Sequence, residues 1–213
     1  MEKHPRRNRV TPFGVFEASA AKGKLMGNRG DLHDGHGNIA RSWKVRRWIS
    51  CALVHPSGSR VVFDKPGRYT PLFFADEATA FAAGHRPCSE CRRADYEAYR
   101  EGWRLAFGVT PKAEDLDKAL HEARMDAAGN KLTFKARFAE LPDGVFVVDP
   151  KDTGRALLKY ANALHPWSHE GYGPPREAAG DQIYDVLTPR PTVEVLRALG
   201  ASNPFAVSAP RIA

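Results

Sequence analysis

The stretch GHRPCSECRR at residues 84–93 decides how the rest of this chain is interpreted. It contains Cys88 and Cys91, separated by two residues and surrounded by basic side chains. A Cys-x-x-Cys pair supplies half of a tetrahedral zinc site, because both thiolates point into one tight turn. The same spacing also suits a redox dithiol. We favour zinc, because redox pairs usually follow a strand, whereas this pair follows a predicted helix.

A tetrahedral zinc site needs two ligands besides this pair. Residues that can supply them are Cys51, His33, His36, His55 and His85. Cys51 falls in a predicted strand, where a buried free thiol is otherwise an ordinary core residue. The loop at residues 31–37, DLHDGHG, combines two His and two Asp in a composition that suits a metal. The predicted cofactor is Zn²⁺, and the predicted ligands are Cys88, Cys91, Cys51, His33 and His36.

The positive charge of the chain is concentrated in the half that holds the Cys pair. The net charge is +7, and residues 1–109 carry 19 Lys and Arg against 11 Asp and Glu, whereas residues 110–213 carry 13 against 14. Such a basic half favours a polyanionic partner, which predicts contact with nucleic acid. The predicted phosphate contacts are Arg46, Arg47, Arg86, Arg92 and Arg93.

The order of predicted elements favours an α+β fold. We expect a small antiparallel sheet with a zinc-knuckle-like Cys turn, followed by helices and a second β-rich segment. Strands are predicted at 43–53, 60–63, 69–74, 144–148, 156–160 and 183–187. Helices are predicted at 77–83, 94–107, 110–127 and 193–199. Residues 23–41, rich in Gly, Asn and Asp, are predicted to form a loop.

The domain organisation is predicted from composition and linker length. Residues 1–22 are expected to form a flexible N-terminal tail, and residues 23–213 a single α+β domain. A subdivision near 109 would separate a basic, zinc-containing part (23–109) from a part with a helix and β-rich segments (110–213). No secretory signal or long apolar run is visible, which predicts a cytoplasmic protein with reduced thiols and no membrane partner.

One segment resembles a known family. Residues 72–92, LFFADEATAFAAGHRPCSECR, are similar to the second half of the zinc-binding domain of Ada-type DNA methyl phosphotriester repair proteins. That half also has a strand, a short Ala-rich helix and a Gly-x-Arg-Pro-Cys-x-x-Cys turn. The resemblance implies a zinc-stabilised fold that binds DNA. The family's other two zinc thiolates come from an upstream Cys-x-x-x-Cys loop, and the corresponding region here, around residues 58–62, has no cysteine, so the repair chemistry is not implied.

Two further groups of residues suit acid–base chemistry. Asp117, His121 and Arg124 share one helical face by their spacing, although such a face is more often solvated. The loop at residues 165–174, HPWSHEGYGP, places His169 and Glu170 among aromatic side chains. The candidate catalytic residues are therefore His121, His169 and Glu170.

Three hypotheses about function remain open at this point. The favoured hypothesis is a zinc-binding protein that contacts DNA or RNA through its basic half. The first alternative is a metal-dependent hydrolase or nuclease, whose site would consist of His33, His36, His121 and His169. The second alternative is a metal-free protein-interaction module with an empty thiol pair.

Overall fold

A computed structural model of the chain describes residues 5–34, 38–60 and 69–205. The described residues form two β-sheets and four α-helices, which confirms the predicted α+β class. No helix in these ranges is long and apolar enough to cross a lipid bilayer.

The first sheet contains the strands that lead to the Cys pair. Its strands are β1 (Arg7–Val10), β2 (Phe16–Ala18), β3 (Leu25–Asn28), β4 (Ile49–Cys51), β5 (Leu72–Phe74) and β6 (Arg86–Pro87). Their order across the sheet is β2-β1-β5-β3-β4-β6. The edge strand β6 runs parallel to its neighbour β4, with Ser50 opposite Pro87. This register places the next residues, Cys51 and Cys88, beside each other.

Within the predicted flexible tail of residues 1–22, the described residues from 5 onward contain the strands β1 and β2. β1 pairs with both β2 and β5, and Val10 and Phe16 are buried in the core. Because this segment contains many charged residues, its alternation of buried and exposed side chains was not recognised in the sequence. Along β1 the side chains of Asn8 and Val10 are buried, while that of Arg7 is exposed.

The predicted loop at residues 23–41 contains β3, which lies between β4 and β5 in the sheet. The glycine content of this segment reflects close packing. A Cβ on Gly27 would lie 2.6 Å from Cε2 of Phe74, so only glycine allows the aromatic ring to cover the strand at this point. The predicted strand 43–53 is reduced to β4. Of the predicted strand 60–63, only Arg60 is described, in an isolated bridge to Val54.

The four helices lie close to their predicted positions. They are α1 (Glu77–Ala82), α2 (Arg93–Phe107), α3 (Ala113–Arg124) and α4 (Arg190–Leu199). Asp76 caps α1 as predicted, because its carboxylate accepts a hydrogen bond of 2.8 Å from the backbone N–H of Thr79. Gly108 ends α2 with a φ of +76°, in the left-handed conformation that glycine favours.

The second sheet is antiparallel and comes from the C-terminal half of the described chain. Its strands are β7 (Phe134–Arg137), β8 (Phe146–Asp149), β9 (Asp152–Tyr160), β10 (Ala163–Pro166) and β11 (Ile183–Val186), in the order β10-β9-β8-β11-β7. The sequence pattern had indicated β8, β9 and β11. The strands β7 and β10 were not predicted; they occupy the two edges of the sheet, where β7 carries the charged Lys135 and Arg137 and β10 ends at Pro166.

A hydrophobic cluster joins the residues before and after position 109. Tyr99 and Trp103 of α2 pack in one cluster with Val147 of β8 and Leu196 of α4. The aromatic stripe predicted on α2 is therefore core, except that Phe107 is 42% exposed. Whether the chain forms a single domain stays a prediction.

Gly84, between α1 and the Cys pair, is expected to tolerate no side chain. Its φ is +86°, and an added Cβ would lie 2.5 Å from Cδ of the buried Arg124. We expect Gly84→Ala to lower the free energy of unfolding by about 3 kcal/mol. Gly129→Ala is the matched control, because Gly129 has a φ of +84° and open space around the added Cβ. A urea titration measures both variants; Gly129→Ala should cost about 1 kcal/mol, and equal losses would contradict the proposed clash.

Candidate metal centre

Three cysteines come together at the edge of the first sheet. The Sγ atoms of Cys51, Cys88 and Cys91 lie within 4.8 Å of one another. All three thiols are free, and the first two are buried. Zinc–sulfur bonds of about 2.3 Å place tetrahedral ligands about 3.8 Å apart, so a single ion fits this group after a small adjustment. Within the described ranges, no other group of three or more His, Cys, Asp or Glu has its ligand atoms so close together.

Backbone hydrogen bonds hold the cysteines in this arrangement. The N–H of Cys88 donates to the carbonyl oxygen of Ser50 at 2.9 Å, which extends the parallel pairing of β4 and β6 by one residue. The N–H of Arg92 donates to the carbonyl oxygen of Cys88 at 3.2 Å and closes the Cys turn just before α2 begins. Two of the thiols therefore come from one turn, and the third comes from the strand beside it.

The hydrogen bonds within the group favour the thiolate form of Cys88. The Cys51 thiol donates to Cys88 and lowers the pKa of Cys88 to about 5, with backbone N–H groups of Glu90 and Cys91 adding to the effect. Donation to Cys88 and burial raise the pKa of Cys51. Burial also raises the pKa of Cys91, although its sulfur accepts a hydrogen bond of 3.4 Å from the N–H of Ala52. Backbone donors around sulfur stabilise metal-bound thiolates.

The structure corrects the role predicted for Arg92. Its side chain is only 10% exposed and lies between the Cys turn and its neighbours. The guanidinium group donates to the Ser50 hydroxyl at 2.9 Å and to the carboxylates of Glu77 and Asp95. Arg92 thus fixes the Cys turn against β4 and α1. Its donors are committed to these partners, so it is not available to bind phosphate.

Arg86 likewise has a structural role, in place of the predicted contact with phosphate. Its side chain is 1% exposed. Nε and Nη2 donate to the two carboxylate oxygens of Asp117 on α3, at 2.9 and 2.8 Å. This buried, bidentate ion pair anchors β6, and with it the start of the Cys turn, to the helix.

The other three predicted phosphate contacts lie at the surface. Arg46 and Arg47 are exposed in the segment that leads into β4. Arg93, at the start of α2, has a side chain that is 73% exposed and an ion pair with Glu97 at 2.9 Å. These positions are compatible with contact to a polyanion, and the contact itself stays a prediction.

Among the described residues, no predicted histidine ligand is part of the thiol group. Nδ1 of His33 shares a hydrogen bond of 2.8 Å with the Thr70 hydroxyl, and His36 lies outside the described residues. His85 is buried and accepts a hydrogen bond from Arg29. Cys51, in contrast, joins the pair as predicted. The sequence did not distinguish Cys51 from the histidines as further ligands, because no local pattern shows which residue lies next to the Cys turn in the fold.

The thiols open into a cavity of about 400 Å³, which we call the thiol cavity. Cys51, Cys88 and Cys91 lie in its wall together with His55, whose Nε2 is 3.4 Å from a carboxylate oxygen of Glu90. Two exposed arginines, Arg47 and Arg60, line the same cavity. Sequence reasoning overlooked Arg60, since its only local signal is its position after a predicted turn.

The candidate catalytic residues lie elsewhere. His121 on α3 packs edge-on against Trp43, and burial and the charge of Arg124 lower its pKa. Nε2 of His169 lies 2.9 Å from a carboxylate oxygen of Glu17, and Glu170 is exposed. None of the described histidines belongs to a three-residue metal-binding group. The histidine-based hydrolase site predicted as an alternative is therefore not assembled in the part of the chain that the structure describes.

No protein-family model, curated protein or solved structure matches the chain. The resemblance of residues 72–92 to the Ada-type zinc-binding domain stays a prediction. Fold and site define an α+β protein with three clustered cysteines that can hold a metal ion.

Proposed function

We propose that this chain is a zinc-binding protein that contacts nucleic acid through the basic rim of its thiol cavity. The observation that best supports this proposal is that Cys51, Cys88 and Cys91 lie close together in the wall of a cavity that exposed arginines also line. Three thiols favour a metal over a redox dithiol, which requires only two. A bound zinc ion would cross-link β4 to the Cys turn.

The cavity also provides a place for a fourth ligand. His55 is the histidine among its described lining residues, and its imidazole lies beside Glu90. A metal-bound histidine whose other nitrogen contacts a carboxylate is common in zinc sites, and here Nδ1 would have to exchange its 2.8 Å contact with the Ser57 hydroxyl for the ion. The proposed donor set is therefore three cysteines, with His55 or a small external ligand at the fourth position.

Charge at the rim supports the nucleic-acid part of the proposal. Arg47 and Arg60 are exposed, and Arg46 lies next to Arg47 in the chain. Glu90 is the only acidic residue among the described lining residues of the thiol cavity. Exposed guanidinium groups bind phosphate oxygens and release counterions on binding, so the affinity should depend steeply on salt.

Removal of the rim arginines should weaken DNA binding and flatten its salt dependence. For the double variant Arg47→Ala/Arg60→Ala, we expect the slope of log K against log salt to fall by about 1.8, because each phosphate contact contributes about 0.9. Fluorescence anisotropy with a duplex oligonucleotide over a range of KCl concentrations measures this slope.

Arg155→Ala is the control, because Arg155 is an exposed arginine on β9 that pairs with Asp152. Its slope should equal that of the wild type. The nucleic-acid proposal is wrong if the wild type binds neither duplex nor single-stranded oligonucleotides, or if the double variant and the control have the same slope.

A further inference from the structure

A second cavity, of about 420 Å³, shares no lining residue with the thiol cavity. It lies between the turn before β2, residues 39–42 and the chain that follows α3. Its cationic lining residues are Arg7, Arg29, Arg41, Arg124 and Lys131. None of the described residues that line it is acidic. We call it the guanidinium cavity.

Arg29, in the wall of this cavity, is a buried cation that has no carboxylate partner in the part of the chain that the structure describes. The residue is 1% exposed. Its Nη1 donates to the carbonyl oxygen of Gly14 at 3.1 Å, and its Nε donates to Nε2 of His85 at 3.2 Å. Among the described residues, its Nη2 has no hydrogen-bond partner and no carboxylate forms an ion pair with Arg29. Because a buried charge without a counter-charge is unfavourable, an anion in this cavity would stabilise the protein.

A second guanidinium group lies close to the first. The Cζ atoms of Arg29 and Arg124 lie 3.9 and 4.0 Å from the ring centroid of Trp48. The ring of Phe16 lies 5.0 Å from the Cζ of Arg29. Cation–π contacts of this kind hold the cations in place but add no net negative charge. The aromatic rings therefore position positive charge beside the cavity without neutralising it.

Backbone carbonyl groups satisfy most of the remaining donors in the wall. Arg124 donates to the carbonyl oxygens of Gly84 and Arg46, and Nζ of Lys131 donates to that of Ala82 at 2.6 Å. Burial and the charges of Arg29 and Arg124 lower the pKa of Lys131 to about 7. The cations of the cavity thus repel one another, and their hydrogen-bond acceptors are neutral.

We propose that the guanidinium cavity binds the phosphate group of a small organic phosphate monoester. Such a group carries nearly two negative charges and three acceptor oxygens, which suits several converging cations better than a single carboxylate does. Arg29, with its unpartnered Nη2, and the exposed Arg41 both line the cavity and would supply donors for this group. The organic part of the ligand packs against apolar wall residues such as Phe13, Ile39 and Met125.

Isothermal titration calorimetry with adenosine monophosphate, adenosine and inorganic phosphate tests this proposal on the full-length protein. Adenosine monophosphate should bind at least about tenfold more tightly than adenosine, because adenosine lacks the charge-assisted hydrogen bonds. Inorganic phosphate should compete with it. A 5′-phosphorylated oligonucleotide distinguishes the source of the phosphate: if it binds in this cavity and the mononucleotide does not, the small-ligand proposal is overturned.

Variants link the binding to this cavity. Arg29→Gln removes the unpartnered donor, and Arg41→Ala removes an exposed cation whose loss leaves the core intact. Each should weaken the binding of adenosine monophosphate about tenfold, whereas Arg155→Ala should not. The double variant Arg47→Ala/Arg60→Ala should also retain wild-type binding, because those residues line the thiol cavity.

These variants also separate the two proposals from each other. Equal affinities of Arg41→Ala and the wild type overturn the assignment to the guanidinium cavity, even if Arg29→Gln fails to fold. Equal affinities for adenosine and its monophosphate, or no binding of either phosphate by the wild type, overturn the proposal as a whole.

Discussion

Cys51→Ser should abolish stoichiometric zinc binding. Cys51 supplies the one thiol of the group that lies outside the Cys turn, and its replacement leaves only two sulfur ligands. We expect zinc affinity to fall more than about a hundredfold, since loss of second-sphere contacts alone costs 10- to 100-fold. Elemental analysis of the purified protein and competition with a chromophoric chelator measure the stoichiometry and the affinity.

Ser89→Ala is the matched control, because Ser89 lies between the two cysteines of the turn and is not part of the thiol group. This variant should bind zinc as the wild type does. A wild type without stoichiometric zinc, or a Cys51→Ser variant that retains it, would contradict the proposed metal centre.

Metal removal should lower the stability of the wild type. A ligand that binds only the folded state stabilises it, and here the ion would connect β4 with the Cys turn. We therefore expect chelation to lower the thermal midpoint of the wild type and to leave that of Cys51→Ser nearly unchanged. Unchanged melting of a zinc-loaded wild type after chelation would show that the ion does not support this part of the fold.

Asp117→Asn should strongly lower the free energy of unfolding, and this is the second-largest effect that we expect. The substitution preserves volume but removes the negative charge that faces Arg86, whose side chain is 1% exposed. Removal of one partner from a buried ion pair leaves an uncompensated charge, so we expect the free energy of unfolding to fall by about 3 to 5 kcal/mol. A guanidinium chloride titration followed by circular dichroism measures the loss.

Glu101→Gln serves as the control for Asp117→Asn. Glu101 forms an ion pair with Arg104 on α2, and both side chains are about half exposed. Water already solvates these charges, so the midpoint should match that of the wild type. Similar losses in the two variants would show that burial does not determine the contribution of the Arg86–Asp117 pair.

The local signals around the Cys pair were sufficient to predict its immediate structure. Asp76 as a cap predicted the start of α1, and Gly108 predicted the end of α2. The apolar spacing along α2 predicted a buried face at Tyr99 and Trp103. The two helix ends depend on contacts between residues close in the chain, whereas the periodicity of α2 indicates which face is buried without showing which elements cover it.

The partners of the two arginines could not be predicted in the same way. Arg86 and Arg92 stand in a basic stretch that looks like a surface for phosphate, yet each is committed to carboxylates on another element. Asp117 lies 31 residues from Arg86, and Glu77 lies 15 residues from Arg92. The sequence shows how many charged residues this stretch contains. Whether Arg86 and Arg92 are buried, and which carboxylates they pair with, depends on how the helices pack on the sheet.

The sequence by itself determined the α+β class, the Cys turn and the excess of positive charge in the first half, since each depends on local pattern or composition. Only the tertiary structure decided which residue joins Cys88 and Cys91, because the parallel pairing of β4 and β6 brings Cys51 to the turn and leaves His33 with Thr70. It also decided which charges remain without partners. Arg29 is one of many arginines in the sequence, and only the folded structure shows that it is buried beside Trp48 with no counter-charge among the described residues.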